Sequence, residues 1–183
     1  CYRGLADFAD ALARMYSGLT PAAGPQAWTA VTKPQRSAQR AALEAARGRI
    51  REVQDTRPSR RARANQLTYL LDSAEDSFIA LVACADLLES HAPHWLGRSA
   101  GAHLSHALHR YASVCNAIAS TSDVSDPKQA QCLRERLAHY GAGLHDLRGG
   151  AMAYAPDLAT MVPVLDRLLQ TAQAVTQALF DQV

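Results

Sequence analysis

Two groups of residues in this sequence have the types and spacing from which a reactive site can be built. The first is a cluster of imidazoles: five of the seven histidines fall between positions 91 and 109, as His91, His94, His103, His106 and His109. His103 and His106 stand three residues apart, a separation that on a helix places both rings on one face, where they can share a metal ion. A metal normally takes three or four ligands. His109 lies about 120° around the helix from His103 by the 3.6-residue period, and no carboxylate occurs between Ser90 and Ser122 to complete the set. The pair is therefore a weak metal candidate, and a solvated helix face accounts for the same spacing.

The second group is acidic: Asp72, Glu75, Asp76 and Glu89. Carboxylate-bridged metal bundles pair a Glu with a His three residues later on each of two helices, and that spacing is missing. Adjacent Glu75 and Asp76 point about 100° apart on a helix, so they read as a solvated face and not as an acid/base couple. There is no phosphate-cradling glycine loop, no Gly-x-Ser-x-Gly elbow, and no Cys or Ser at a signature spacing from a base. Neither a catalytic residue nor a cofactor site is assigned, and the expectation is a protein that is not itself an enzyme.

Charge is distributed by segment. The net charge of +2 is too small to indicate a nucleic-acid partner, yet from Lys33 to Arg63 ten basic residues face three acidic ones, and from Gln66 to Glu89 five acidic residues stand with no basic one. Arg57, Arg60, Arg61 and Arg63 precede a long helical pattern, where the helix dipole disfavours cations. They read as exposed residues or as contacts for an anionic surface such as phospholipid headgroups. Interleaved aromatics for base stacking are missing.

Helices must position all of these groups. Ala and Leu are abundant, aromatics make up 6%, and glycine and proline gather in short stretches, a composition that favours helix over sheet. Apolar residues recur at helical spacing in six segments. Leu5, Phe8, Leu12 and Met15 mark a short first helix over 2–18, followed by a surface loop over 19–31 containing Pro21, Gly24, Pro25 and Trp28. A second helix is expected from Thr32 to Asp55, with Pro34 in its first turn. The third, about 30 residues long, runs from after Pro58 to His91 on Leu67, Leu70, Leu71, Ala74, Phe78, Leu81, Val82, Ala85 and Leu88. Pro93, Gly97 and Gly101 mark a break before a fourth helix bearing Leu104, Leu108, Tyr111, Val114, Cys115 and Ile118.

Ser125 or Asp126 suits an N-cap, with Pro127 at the first helical position. That fifth helix carries Leu133, Leu137, Tyr140, Leu144 and Leu147 up to Gly149–Gly150. The sixth spans 161–181, with Thr160 as N-cap. The expected fold is all-α, a single domain over 1–183 forming an elongated antiparallel bundle whose axis follows the third helix. Cys84 and Cys115 fall in apolar patterns and read as small core residues. No apolar run reaches the roughly 18 to 20 residues of a membrane span. The start at Cys1, directly on a helical pattern and without Met, reads as a fragment of a longer protein.

Four runs in order carry a resemblance: residues 1–13 (CYRGLADFADALA), 42–51 (ALEAARGRIR), 57–63 (RPSRRAR) and 70–89 (LLDSAEDSFIALVACADLLE). Together they resemble the soluble region of FUSC-type inner-membrane proteins, the fusaric acid resistance and aromatic acid exporter group with its YccS-like members. The similarity covers residues 1–91. It implies a helical domain on the cytoplasmic face of a bacterial inner membrane, attached to membrane helices that export aromatic acids or related small molecules, with a role in assembly, gating or partner binding. The implied partners are its own transmembrane domain, other subunits of the same protein and anionic lipid. A free-standing helical scaffold or adaptor is the alternative, followed by a His-dependent metal-binding bundle.

Overall fold

The computed structural model describes residues 1–18, 25–56, 61–95, 99–121, 125–154 and 159–180. Six helices account for almost all of them: α1 (Tyr2–Gly18), α2 (Pro25–Thr56), α3 (Arg61–Trp95), α4 (Ser99–Ser120), α5 (Pro127–Tyr154) and α6 (Val162–Phe180). The described residues contain no strand, and the all-α bundle expected from the periodicity is what they form.

Cross-helix contacts fix the directions. Arg36 meets Asp86 and Gln54 meets Thr68, so α2 and α3 run antiparallel. Tyr2 and Tyr16 donate to the carbonyls of Leu70 and Cys84, so α1 runs parallel to α3. Gln66 reaches Ala178 while Asp76 meets Arg167, placing α6 antiparallel to α3. The chain thus alternates up and down. Helices α1, α3, α6 and α4 form the central square, with α2 lying against α1 and α3 and α5 against α4 and α6. The same arrangement of three helices therefore occurs twice, as α1–α2–α3 and as α4–α5–α6, and the two units pack through α1 on α4 and α3 on α6.

The short first helix is the most enclosed element. Leu5, Ala6, Phe8, Ala9, Ala11, Leu12, Ala13, Met15 and Tyr16 are all buried, leaving Arg3, Asp7, Arg14 and Ser17 exposed and Asp10 half-buried. That polar stripe repeats every three or four residues, and alanines fill the flanks where neighbouring helices approach. A short helix so surrounded shares the central square with the longest one.

Four expected boundaries are corrected. Residues 25–31 of the expected loop belong to α2, and 19–24 lie outside the described residues. Trp28 is 1% exposed, and burial of so large a side chain outweighs the roughly 3 kcal/mol cost of proline in a helix, so Pro34 sits in the interior of α2 on its exposed side. Pro93 lies within α3, and Gly101 is buried inside α4, so the break between these helices falls between Trp95 and Ser99. Gly149 and Gly150 do not end α5, which continues to Tyr154. An exposed helical glycine costs about 1 kcal/mol, too little to stop a helix anchored by tertiary packing. At α6 the first helical bond runs from Leu165 N–H to the carbonyl of Met161, so the cap position belongs to Met161 rather than Thr160. Asp126 caps α5 as expected, its Oδ1 accepting from the Lys128 N–H at 2.9 Å.

Candidate functional site

At one end of the bundle the first turn of α1, the last turns of α2, α4 and α6, and the start of α3 converge. They enclose a pocket of about 360 Å³ whose walls include Tyr2, Ile50, Leu67, Leu70, Ile118 and Leu179. Each helix contributes because its apolar stripe continues past the point where a neighbour covers it. Ile50 and Leu70 remain half-buried and Leu67 is 38% exposed. The Tyr2 hydroxyl donates to the carbonyl of Leu70 at 3.1 Å, which satisfies it and fixes the ring as a wall. Burial holds this phenol protonated well above its ordinary range, with smaller contributions from Cys115 and Tyr69.

Arg49 stands on the rim, exposed, and forms no hydrogen bond or ion pair among the described residues. One cation beside an apolar recess suits a small apolar molecule bearing one negative group. The thiol of Cys1 also lines the recess, but it donates to the carbonyl of Ala42 at 3.6 Å. The recess presents walls and one charge, which is the chemistry of binding.

The residues singled out from the sequence are separated by the fold. His103 and His106 are exposed on α4, and the described residues hold no group of three potential ligands capable of chelating a metal. His109 points elsewhere, its Nδ1 lying 2.7 Å from Asp10 Oδ1. The carboxylate missing near the imidazoles in sequence comes from α1, which the periodicity of α4 alone does not disclose. Glu75 pairs with Arg47 on α2 and Asp76 with Arg167 on α6, so the adjacent acids serve two different helix contacts. Arg57 and Arg60 lie outside the described residues. Arg61 and Arg63 belong to the first turn of α3, with side chains outside the described set.

The bundle interior holds a second polar group that sequence reading missed. Tyr111 and Tyr140 pack with ring centroids 5.5 Å apart, and Tyr140 donates to the carbonyl of Leu165 at 2.9 Å. Tyr111 shares hydrogen bonds with Ser77 and Cys115. Burial pushes the Cys84 and Cys115 thiols from 9.0 up to about 12 and lifts the phenols of Tyr16, Tyr111 and Tyr140 well above theirs. These groups stay protonated and neutral, and their partners are structural. The two buried thiols are core residues, as their apolar context indicates. The buried serines were the available signal: Ser73 and Ser77 fall on the apolar stripe of α3.

No protein-family model, curated protein or solved structure matches this chain.

Proposed function

We propose that this chain is the soluble helical domain of a FUSC-like exporter on the cytoplasmic face of a bacterial inner membrane, and that its end pocket receives a small apolar acid of the exported class. The observation that carries the reading is the recess bounded by Tyr2, Ile50 and Leu179, with Arg49, unpaired among the described residues, at its rim. An aromatic carboxylate matches both properties: a ring for the apolar wall and a charge for the guanidinium. Occupancy would tie together α1, α2, α3, α4 and α6 at that end, so ligand binding can alter how the domain meets its neighbours.

The placement of helix ends supports attachment. Tyr2 at the start of α1 and Leu179 near the end of α6 line the same pocket, so segments joined to either side would leave from one end. The end of α2 at Thr56 and the start of α3 at Arg61 are at that end as well. Cations there suit an anionic bilayer surface. Among the described residues no helix is long and apolar enough to cross a membrane, so membrane segments would lie in the flanking sequence. The exposed large apolar residues Val31, Leu67, Tyr69 and Ile79 are dispersed, with Leu67 and Tyr69 about 200° apart on α3. That favours the pocket over an adaptor groove.

Benzoate is a suitable probe. Titrated into isotopically labelled protein, it is expected to shift the resonances of Tyr2, Ile50 and Ile118 saturably, and Ala46→Trp, which fills the recess, is expected to abolish the shifts. Equal shifts in Ala46→Trp and the native chain would overturn the pocket assignment. The reading frame around the coding segment tests the attachment: apolar stretches of about 20 residues are expected on at least one side. A frame that opens just before Cys1 and stops after Val183 would overturn it.

A further inference from the structure

The seam between α4 and α5 carries arginines of an unusual kind. Arg110 and Arg136 are both half-buried, and neither forms an ion pair among the described residues. Each is held instead by neutral acceptors, including the Cys132 Sγ, to which Arg136 Nε donates at 3.4 Å. Arg110 Nη1 donates to the carbonyl of His139 at 3.1 Å. Arg136 Nη1 donates to the carbonyl of Ser113 at 3.2 Å and to its Oγ at 2.5 Å. The nearest acids along α5, Glu135 and Asp146, leave both guanidinia alone, and Glu135 accepts from Gln131.

These contacts fix the guanidinia without neutralising them. Gly143 makes room for one of them: a Cβ there would lie 2.5 Å from Arg110 Nη1, so the glycine lets that side chain lie across α5. Arg110, Ser113, Arg136 and His139 line a pocket of about 250 Å³. Arg136 also lines a second pocket of about 310 Å³ that extends the seam to Lys128 and Cys132. The Nη2 groups of both arginines have no protein partner among the described residues.

The geometry points to a binding site for a phosphate group in the α4–α5 seam, with Arg110 and Arg136 as the paired guanidinium donors. A guanidinium offers planar, charge-assisted hydrogen bonds that match phosphate oxygens. Two of them held in place by backbone carbonyls lose little side-chain freedom when the anion arrives. The Ser113 hydroxyl and the His139 ring supply further polar contacts at the wall. This site is separate from the apolar end pocket and goes beyond the function proposed for it. The phosphate can belong to a soluble anion or to a lipid headgroup, since Lys128 carries the cationic seam toward the end of the bundle where the helix termini gather.

The test uses the 183-residue chain, titrated calorimetrically with inorganic pyrophosphate and, separately, sedimented with vesicles of phosphatidylglycerol or of phosphatidylcholine. Saturable binding is expected to pyrophosphate or to phosphatidylglycerol but not to phosphatidylcholine. Arg110→Gln and Arg136→Gln are each expected to weaken it by about tenfold, with unchanged helical circular dichroism. Arg49→Gln, which alters only the apolar end pocket, is expected to leave it intact, so failure of that pocket and failure of this seam are distinguishable. Binding of pyrophosphate that also displaces the protein from vesicles assigns a soluble phosphate. Vesicle binding untouched by pyrophosphate, yet lost with the two arginines, assigns the lipid headgroup. Absence of saturable binding to both probes overturns the site, as does equal binding by the native chain and both arginine variants.

Discussion

The α2–α3 and α4–α5 seams are built to the same plan and charged in opposite ways. Each joins an outer helix to a central one in antiparallel pairing, and each places arginines across the contact. On α2, Arg36 finds Asp86 and Arg47 finds both Glu44 and Glu75. On the other side, Arg110 and Arg136 find carbonyls, a hydroxyl and a thiol among the described residues, and no carboxylate. The lesson is that the basic excess counted along residues 33–63 is partly cancelled in space by the acidic segment that follows it. Half-buried guanidinia without a carboxylate partner among the described residues lie instead on α4 and α5, whose sequences show no conspicuous basic run.

Both seams rest on one neutral interior, and the most severe way to break them together is alkali. The folded Cys84 and Cys115 keep their protons to about pH 12, whereas unfolded thiols release them near 9.0. Their contribution to stability is therefore complete below pH 9 and is lost as the pH climbs from 9 to 12. The buried phenols act in the same direction. Circular dichroism across that range is expected to show cooperative loss of helix, while iodoacetamide at pH 8 labels Cys132 and spares Cys84 and Cys115.

Cutting the apolar anchor beneath each seam comes next. Leu133 under α5 and Leu43 under α2 are both buried. Leu133→Ala and Leu43→Ala are each expected to cost about 2–5 kcal/mol in urea unfolding, irrespective of the charges above them. Equal midpoints for the native chain and either variant would show that the apolar contact is not what holds that helix.

A smaller and opposite effect is expected within the α2 seam. Gln39 is 2% exposed, and neither end of its amide has a hydrogen-bond partner among the described residues. It faces Gly4 of α1, where a Cβ would collide with its Oε1. Gln39→Leu is expected to raise stability by about 1–3 kcal/mol by removing an unsatisfied buried amide, read as a higher unfolding midpoint.

The smallest change distinguishes the seams most sharply. Arg47→Gln removes two partly exposed ion pairs, to Glu44 and Glu75, and is expected to cost about 0.2–1 kcal/mol for each at low salt, less as sodium chloride is added. Arg136→Gln removes an uncompensated cation, so added salt is expected to narrow its difference from the native chain in the reverse sense, with the native chain gaining from anions. The same salt response in both variants would erase the distinction between the seams.

Much of the fold was legible because its helices are amphipathic: every apolar residue named on α4 and α5 is buried, and Asp126 and Pro127 open α5 where their chemistry suits them. Errors fell where local chemistry competes with burial. Proline and glycine near Trp28 suggested a loop, yet the buried indole keeps residues 25–31 helical. On α3 the expected stripe is buried at Leu71, Ala74, Phe78, Leu81, Ala85 and Leu88, while Leu67 is exposed and the buried face widens to include Ser73, Ser77 and Cys84, because small residues allow close helix approach.

The sites were less legible than the elements. Arg49, Arg110 and Arg136 belong to no motif, and their interest comes from partners they lack, which is a property of space rather than spacing. His103 and His106 have the spacing but no converging third group among the described residues. Asp10 meets His109 only once α1 lies against α4.

The enclosure of α1 also orders events in time. It precedes α4 in the chain, yet the surface that covers it includes α4, which is incomplete until Ser120 has been made. At about 5–20 residues per second, a nascent chain holds the apolar faces of α1 uncovered for on the order of ten seconds. The most enclosed helix is therefore made before the elements that enclose it, and Leu5, Phe8 and Leu12 wait uncovered until α4 arrives.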